Sequence, residues 1–342
     1  MRIAVDVMSG ERGVEEIVKG ALGAVNEYDI NVILVGNKDI IEGILKRKVY
    51  NRAKVEIYPA NEVITMKEQP TIAIKRKKDA SVLVAAKLVK EGIADAFVSP
   101  GNTGATFAAA FMNLGRLKGV ARPALLTPLP TQTEGKFTAL LDIGANPECK
   151  PIHLTQFAVM GAAYAHTIWK IEKPKIGLLS NGEEESKGIE LTKKTHSILR
   201  KLPINYVGYI EGRDLFNNSV DVAVCDGFVG NLLLKTIEGV GMTVYSLLKE
   251  GIKSKFFYTL GALMIYPVFK MLKRRIDYSE YGGAPLLGIN GISIVTHGNS
   301  SAKEIKNGIR VAAELIKTNI NDIIVYRLKE YGINKFNWFN WE

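Results

Sequence analysis

Short apolar runs alternate with longer amphipathic segments along most of the chain. The apolar runs predict buried β-strands and the amphipathic segments predict helices, because a surface helix repeats its apolar positions every 3.6 residues. The predicted strands cover residues 2–8, 31–36, 55–58, 94–98, 137–141, 175–179, 220–225 and 292–296. The predicted helices include 14–28, 39–46, 81–91, 151–169 and 302–317. This alternation predicts an α/β fold, in which helices cover both faces of a doubly wound, mostly parallel sheet.

Five of the predicted strands end in a polar loop that contains glycine, at 99–105, 142–146, 180–185, 226–231 and 297–301. The first loop, Ser-Pro-Gly-Asn-Thr-Gly-Ala, precedes a run of small residues that predicts a helix. Glycines allow a tight turn, and the first N–H groups of a helix are unpaired donors that can hold a small anion. For a single loop, a turn that binds nothing is the alternative. Because the carboxyl ends of parallel strands line one crevice, five such loops predict a site for a phosphate-like ligand.

Composition and charge narrow the function classes. The chain has 342 residues and a formal charge of +10, which predicts an acidic partner. No Lys/Arg tract is interleaved with aromatic residues, so we expect no nucleic acid partner. Cys149 and Cys225 have neither metal-site nor disulfide spacing, which predicts a reducing cytoplasm and no metal. The two common nucleotide fingerprints and the hydrolase nucleophile elbow are absent from the sequence, so no cofactor is expected.

Further motifs follow one another along the whole chain, at 1–7, 101–105, 141–146, 150–151, 182–185, 187–188, 211–214, 226–231, 281–284 and 297–298. In this order they resemble the phosphate acyltransferase family of bacterial phospholipid synthesis. The resemblance implies transfer of a long-chain acyl group from acyl carrier protein to inorganic phosphate. The acyl phosphate product would then serve a downstream glycerol-3-phosphate acyltransferase. The resemblance also implies a Rossmann-like three-layer αβα fold, similar to phosphate acetyltransferases and isocitrate dehydrogenase-like proteins. It implies a homodimer, and we expect one catalytic domain over residues 1–342.

Two loops depart from the usual pattern of that family. This chain has Met-Ser-Gly-Glu-Arg-Gly-Val at 8–14, where the family usually has Met-Gly-Gly-Asp-His-Ala-Pro. Before Gly182 it has Ser-Asn, where the family more often has Asn and then an apolar residue. The first departure leaves an inactive phosphate- or lipid-sensing module as one alternative function. A short-chain phosphate acetyl- or butyryltransferase that uses acyl coenzyme A is the other.

Attack of phosphate on a thioester needs positioning more than acid–base catalysis. Phosphate is already anionic at neutral pH, and a thiol of pKa about 8.5 can depart as thiolate. We therefore expect direct transfer without an acyl-enzyme, in which neither cysteine takes part. The expected catalytic residues are Asn102, Thr103, Asn146, Asn231 and His297. The expected substrate-binding residues are Gly101, Gly104, Gly144, Lys187, Arg213, Asp226, Gly227, Gly230, Lys77 and Lys78.

The expected roles fall into two groups. Residues 101–104 would cradle phosphate or the developing oxyanion. Asn146 and Asn231 would donate hydrogen bonds to the acyl carbonyl. His297 would protonate the leaving sulfur or donate to the carbonyl, and a purely structural histidine is the alternative.

Charged residues form the second group. Lys187 and Arg213 would neutralise phosphate, unless they are surface or ion-paired cations. Asp226 would repel phosphate, so we expect it to orient those cations or to cap a helix. The basic stretch 75–78, with Lys77 and Lys78, would meet the acidic carrier protein by electrostatic steering. A solvated helix start is the alternative for that stretch.

The segment 249–275 differs from the rest of the chain in composition. Residues 256–269 carry no charge, and lysines and arginines flank them on both sides. The run is too short to span a bilayer, and Pro267 would interrupt a continuous helix. We expect a protruding helical hairpin over 245–280 that binds an anionic membrane surface peripherally. A dimer interface is the alternative and can coexist with membrane binding. The aromatic tail 336–341 fits an interfacial anchor or ordinary packing.

Overall fold

The computed structural model describes residues 1–276 and 282–333, with the backbone alone for 272–276. The strands are β1 (Arg2–Asp6), β2 (Asn31–Gly36), β3 (Val55–Pro59), β4 (Ala96–Ser99), β5 (Ala124–Pro130), β6 (Phe137–Leu141), β7 (Ile176–Leu179), β8 (Tyr206–Ile210), β9 (Val222–Val224), β10 (Ala284–Leu287) and β11 (Ile292–Val295). The helices are α1 (Val14–Tyr28), α2 (Lys38–Leu45), α3 (Pro70–Arg76), α4 (Ser81–Lys90), α5 (Thr103–Leu114), α6 (Pro151–Trp169), α7 (Glu190–Leu199), α8 (Gly227–Lys253), α9 (Phe256–Met264), α10 (Tyr266–Ile276), α11 (Ala302–Lys317) and α12 (Ile320–Glu330).

Local signals account for several of the helix ends. Pro151 occupies the first turn of α6, where its missing N–H has no helical acceptor to lose. Ser301 precedes α11 and accepts a hydrogen bond from the N–H of Glu304, while the Glu304 side chain accepts one from the N–H of Ser301. The bounds predicted for α1, α6 and α11 are confirmed.

The described strands form one sheet in the order β3-β2-β1-β4-β11-β10-β5-β6-β9-β7-β8. Most neighbouring pairs are parallel, which confirms the α/β fold with a mostly parallel sheet. The pairs β11/β10, β10/β5 and β5/β6 are antiparallel and adjoin one another in the middle. Three reversals in succession make β6, β9, β7 and β8 run opposite to β1, β4 and β11. The expectation that all five glycine loops leave one edge of the sheet is therefore wrong.

The core consists of two apolar layers, one on each face of the sheet. Alternate residues of β1 enter different layers: Ile3 and Val5 face the layer that contains α1, α6 and α11. Ala4 faces the layer that contains α4 and α5. Strands buried on both sides are apolar throughout, which explains why the sequence pattern found most of them. The three-layer arrangement is thus helix, sheet, helix.

Helices α8, α9 and α10 form an arm on the α/β body. The α8 helix has 27 residues, so it extends for about 40 Å. Its buried residues are Gly227 and Gly230, at its first turn, and α9 has no buried residue. Pro267 lies in the first turn of α10, directly after the break between α9 and α10. No helix among the described residues combines the length and the apolar character that crossing a bilayer requires.

The arm is longer than the hairpin that the sequence predicts over 245–280, because α8 begins at Gly227. Part of that predicted hairpin, 277–280, lies outside the described residues, as does the aromatic tail 336–341.

Candidate active site

Three loops meet where β1, β4 and β11 end: residues 8–13, 99–104 and 296–300, here called the loop cluster. Gly101 in the second loop packs against Ser9 in the first. A Cβ added to Gly101 would lie 2.8 Å from Cβ of Ser9, closer than any side chain could be accommodated. Only glycine therefore allows these two loops to approach as they do.

Two hydrogen bonds join the loop after β1 to the loop after β11. The N–H of Glu11 donates to the carbonyl oxygen of Gly298 at 2.7 Å. Nε of Arg12 donates to Oδ1 of Asn299 at 2.8 Å. Met66 covers the same place, because a Cβ added to Gly298 would lie 2.9 Å from Cε of Met66. The loop cluster is thus tied together through main-chain and side-chain contacts.

The N-terminus of α5 opens into this loop cluster. Oδ1 of Asn102 accepts a hydrogen bond from the N–H of Ala105 at 3.2 Å, and Nδ2 of Asn102 donates to the carbonyl oxygen of Met66 at 3.3 Å. This cap satisfies one first-turn N–H and leaves those of Thr103 and Gly104 without a helical acceptor. Both residues are exposed. The arrangement offers backbone donors and the positive helix end to an anion.

A buried carboxylate supports the loop after β4 from below. Asp6 is completely buried, and its Oδ2 accepts a hydrogen bond from Oγ of Ser99 at 2.7 Å. Oγ of Ser99 in turn accepts the N–H of Gly101 at 3.2 Å. This chain holds Gly101 in place and uses its N–H, so Gly101 shapes the loop while the next residues provide donors.

The loop after β6 is organised around another buried carboxylate, Asp142. It accepts hydrogen bonds from the N–H groups of 144–146 and from the N–H of Leu125, at 2.7 to 3.2 Å. Nδ2 of Asn146 donates to Asp142 at 2.8 Å and to the carbonyl oxygen of Pro123 at 2.7 Å. Both amide hydrogens of Asn146 are therefore engaged within the chain. This placement favours a positioning role for Asn146 over donation to a substrate carbonyl.

The first turn of α8 packs against that loop. Oδ1 of Asp226 accepts a first-turn N–H at 2.9 Å and so caps the helix, one of the two roles expected for it. A Cβ added to Gly227 would lie 2.8 Å from the carbonyl oxygen of Asn146. A Cβ added to Gly230 would lie 1.9 Å from the carbonyl oxygen of Asp142. These two glycines thus permit a backbone-to-backbone contact.

The α8 helix connects this second group of loops to the loop cluster. Asn231 is exposed beside Gly144, where an added Cβ would lie 3.7 Å from Cγ of Asn231. Glu238 lies two helical turns further on the same side of α8. Its Oε1 is 3.2 Å from Nε2 of His297. Asn231 and Glu238 are about 10 Å apart along the helix axis.

The contact between His297 and Glu238 changes the acidity of both groups. The hydrogen bond that His297 donates to the Glu238 carboxylate raises the pKa of His297, against the opposing effect of burial. The same hydrogen bond lowers the pKa of Glu238. The His297 side chain is 39% exposed, so a substrate can reach it. His297 is therefore held as an imidazolium, a proton donor, to higher pH than a free histidine.

The loops after β7 and β8 form a third group. A Cβ added to Gly182 would lie 2.8 Å from Cγ of Lys187, so the lysine stem packs over this glycine. Nη2 of Arg213 lies 3.1 Å from Oε1 of Glu183 and 3.3 Å from Oε2 of Glu211. Arg213 is thus ion-paired with two carboxylates, the alternative that the sequence left open.

The predicted residues therefore fall into separate groups. The loop cluster contains Gly101, Asn102, Thr103, Gly104 and His297. The group around α8 contains Gly144, Asn146, Asp226, Gly227, Gly230 and Asn231. The third group contains Lys187 and Arg213.

The basic stretch contains two lysines with different surroundings. Nζ of Lys77 donates to the carbonyl oxygen of Val63 at 2.6 Å and to Oε2 of Glu68 at 2.8 Å. The hydrogen bond from Lys77 lowers the pKa of Glu68 to about 2. Lys77 thus holds the segment that carries Met66. Lys78 is exposed at a cavity of about 290 Å³ that Met112 also lines.

The environment of each cysteine disfavours the thiolate that a nucleophile requires. Burial raises the pKa of the Cys149 thiol to about 12, and the carboxylates Asp142 and Asp226 add to this effect. Burial likewise raises the pKa of the Cys225 thiol well above its usual value. Both groups stay as thiols at neutral pH. The described side chains contain no group of three or more His, Cys, Asp or Glu residues that could hold a metal ion.

Sequence reasoning missed Glu238, the partner of His297. It also assigned no role to Met66, which contacts both Asn102 and Gly298. One signal for Glu238 was present: an acidic residue seven positions after Asn231, on a helix that is otherwise rich in apolar residues.

The model of the family described as fatty acid synthesis protein matches residues 1–323. The chain belongs to this family. It is 50% identical over 332 residues to the phosphate acyltransferase of Desulfitobacterium hafniense (strain DSM 10664 / DCB-2). This alignment covers 97% of this chain and 98% of the relative. It is 51% identical over 320 residues to the phosphate acyltransferase of Pelotomaculum thermopropionicum, which covers 94% of this chain and 93% of the relative.

The fold of this fatty acid synthesis family member is also found among solved structures. A phosphotransacetylase from Streptococcus pyogenes matches it with a TM-score of 0.63 at 17% identity, and the match covers 94% of each chain. At this identity the likeness concerns the fold alone.

Proposed function

We propose that this chain transfers a long-chain acyl group from an acyl carrier protein to inorganic phosphate, which yields an acyl phosphate for phospholipid synthesis. Acyl transfer to phosphate rests on relatives that share about half of its residues over nearly their whole length and are named phosphate acyltransferase. The observation that carries the mechanism is the loop cluster, in which the start of α5 and the proton donor His297 belong to one network of contacts.

Phosphate would bind at the N-terminus of α5. The N–H groups of Thr103 and Gly104 supply donors, and Gly101 and Asn102 hold the backbone in the required shape. An anion at a helix N-terminus is stabilised by these donors and by the helix dipole. A phosphate oxygen would then attack the carbonyl carbon of the thioester.

His297 would protonate the leaving group. As the new carbon–oxygen bond forms, the carbon–sulfur bond breaks and the sulfur leaves with its electron pair. The imidazolium of His297 donates its proton to that sulfur, and Glu238 stabilises the charged ring before transfer. The exposed amide of Asn231 is a donor for the carbonyl oxygen from the side of α8, while Asn146 fixes the adjacent loop.

Direct transfer fits the state of the two cysteines. An acyl-enzyme would require a thiolate, and burial opposes its formation at both Cys149 and Cys225. The phosphate oxygen itself is therefore the nucleophile in the proposed reaction.

The acidic carrier protein would dock beside the basic stretch. Lys75, Arg76 and Lys78 are exposed there, whereas Lys77 is held by Glu68. A net charge of +10 favours such a partner. Exposed basic side chains raise the rate of encounter with an acidic protein, an effect that salt weakens.

The arm would bring the enzyme to the lipid surface. Phe256, Phe257 and Met264 are 77%, 79% and 81% exposed on α9, and lysines flank that helix. Apolar side chains with basic neighbours suit an anionic bilayer.

A second copy of the arm could cover the groove between α8 and α9, so a homodimer is part of the proposal. The protein would act as one catalytic domain, cytoplasmic but peripherally attached, and would pass acyl phosphate to a glycerol-3-phosphate acyltransferase.

The test is an assay in which acyl phosphate is trapped by hydroxylamine. The full chain is incubated with phosphate and palmitoyl carrier protein, and separately with acetyl coenzyme A. Palmitoyl hydroxamate from the first mixture supports the proposal. Product from acetyl coenzyme A alone would indicate a short-chain transferase, and product from neither would indicate a module without this activity.

A further inference from the structure

We propose that Ser9 and Arg12, on the loop after β1, complete the phosphate site at the start of α5: Ser9 as a hydrogen-bond donor and Arg12 as the cation. This inference rests on the proposed function, which places phosphate at that helix end. It adds two residues that the sequence pattern did not assign to the reaction.

Ser9 is buried, and its hydroxyl has no hydrogen-bond partner in the part of the chain that the structure describes. The residue is 6% exposed, and its Oγ makes no hydrogen bond among the described residues. That Oγ lies 3.3 Å from the point where a Cβ on Gly101 would be, directly beside the loop that leads into α5. A buried hydroxyl without a hydrogen-bond partner destabilises the folded protein. A phosphate oxygen at the start of α5 would accept this hydrogen bond.

Arg12 extends from the same loop. Its Nε donates to Oδ1 of Asn299, which uses one of five N–H donors of the guanidinium. Arg12 is exposed and has no carboxylate partner within salt-bridge distance in the described part of the chain. Because the bond to Asn299 fixes the side chain over the loop cluster, the terminal nitrogens are available to a phosphate in bidentate geometry.

The charges around the site explain why a cation is needed. Asp6 lies buried under the loop after β4, and Glu11 lies beside Arg12 in the loop after β1. Glu238 approaches from α8, where it faces His297. Asp6 and Glu11 have no ion-paired cation among the described residues, and their negative charges would repel a phosphate dianion. Arg213 is ion-paired with two carboxylates in the third loop group, so Arg12 is the arginine placed to offset this repulsion.

The roles of Ser9 and Arg12 would explain why the loop after β1 departs from the usual pattern. At positions 9 and 12 the phosphate acyltransferase family usually has glycine and histidine. A hydroxyl and a guanidinium add donors to the site, and the charge of the guanidinium does not change over the neutral pH range.

The experiment measures phosphate binding and turnover separately, with the full-length protein. Isothermal titration with inorganic phosphate reports the Kd, and the hydroxamate assay reports KM for phosphate and KM for palmitoyl carrier protein. We expect Arg12→Gln to weaken phosphate binding about 10- to 100-fold and to leave the KM for the acyl donor unchanged. Arg12→Lys should recover part of the loss, and Arg52→Gln, a control at an exposed arginine just before β3, should leave the phosphate Kd unchanged.

Two further variants separate binding from loop structure. Asn299→Ala removes the bond to Nε but keeps the guanidinium, so its phosphate Kd should stay closer to the wild type than that of Arg12→Gln. Equal losses of phosphate affinity in Asn299→Ala and Arg12→Gln would show that Arg12 only holds the loops, which overturns the inference.

Ser9→Ala should leave the thermal stability of the phosphate-free protein unchanged or higher, yet weaken phosphate binding about 3- to 10-fold. An unchanged Kd in Ser9→Ala removes Ser9 from the site. Because wild-type phosphate binding is measured without an acyl donor, failure of the proposed reaction remains distinguishable from failure of this inference.

Discussion

Oε1 of Glu238 lies 3.2 Å from Nε2 of His297, although the two residues are 59 positions apart in the chain. One belongs to α8 and the other to the loop after β11, so this contact joins the two halves of the candidate site. It raises the pKa of His297 and lowers that of Glu238.

The pair predicts how activity depends on pH. If the imidazolium donates the proton, activity falls as the pH rises through the raised pKa of His297. Glu238→Gln removes the carboxylate, so the pKa of His297 decreases and the alkaline fall in kcat/KM should move to lower pH. The control is Glu250→Gln, an exposed glutamate on the same helix. An alkaline limb in the same place for both variants would contradict a role for His297 as the acid.

The same contact stabilises the fold within a defined pH window. The contribution of His297, whose folded pKa is raised, is lost as the pH rises through that value. The contribution of Glu238, whose folded pKa is lowered, is lost as the pH falls through that value. The difference in thermal stability between wild type and Glu238→Gln should therefore be largest between these two limits.

Removal of both thiols should leave the activity intact. Cys149 and Cys225 are held as thiols, and a phosphate oxygen is the proposed nucleophile. The double variant Cys149→Ser, Cys225→Ala should retain kcat within about 3-fold, a change typical of small packing effects. Circular dichroism checks that the variant is folded. A folded variant without activity would imply an acyl-enzyme.

Gly230 and Gly239 provide a matched pair on α8. An alanine at 230 would place its Cβ 1.9 Å from the carbonyl oxygen of Asp142, whereas no described residue comes within 4 Å of a Cβ at 239. Gly230→Ala should reduce the free energy of unfolding by about 3 kcal/mol and displace the loop after β6. Gly239→Ala should increase it by about 0.5–1 kcal/mol. Urea unfolding measures both, and equal effects would contradict the close contact at Gly230.

Two adjacent lysines should respond differently to charge reversal. Lys78→Glu should raise KM for palmitoyl carrier protein about 5-fold and reduce its salt dependence, while KM for phosphate stays unchanged. Lys77→Glu should instead lower the melting temperature, because it removes the bonds to Glu68 and Val63. Lys193→Glu, on α7, is the control for net charge. An unchanged carrier KM in Lys78→Glu would exclude docking at this stretch.

The arm should be required for membrane attachment. Flotation with vesicles of anionic phospholipid should carry the wild type upward, and Phe257→Glu with Met264→Glu should stay at the bottom. Val49→Glu changes a residue that is 99% exposed in the α/β body and should float as the wild type does. A wild type that stays with the soluble fraction would contradict membrane binding. Sedimentation velocity of the same variants tests whether α9 also holds a dimer.

The pattern of residues predicted the framework of this protein well. Apolar runs located most strands, and helical patterns located α1, α6 and α11. Three strands were missed. β5 contains two prolines, which conceal its strand character, and β10 is four residues long and follows two glycines. The edge strand β8 is interrupted by Gly208 and is only partly buried.

The candidate site was predicted less completely. Glycine loops and His297 were identified because tight turns and isolated polar residues leave local signals. The engagement of Lys77 with Glu68, of Asn146 with Asp142 and of Arg213 with Glu183 left no such signal. Each depends on a residue whose position the chain acquires only when it is folded.

The sequence alone determined the order of strands and helices, the glycine turns and the apolar arm, because periodicity, capping and composition act over a few neighbouring residues. Tertiary structure decided that β10 and β5 pair antiparallel with their neighbours, so that one half of the sheet runs opposite to the other. The strand directions in turn decide which loops meet. It also decided that Glu238 faces His297 and that Ser9 faces the loop before α5. These outcomes depend on contacts between residues far apart in the chain, which only packing of the complete core can specify.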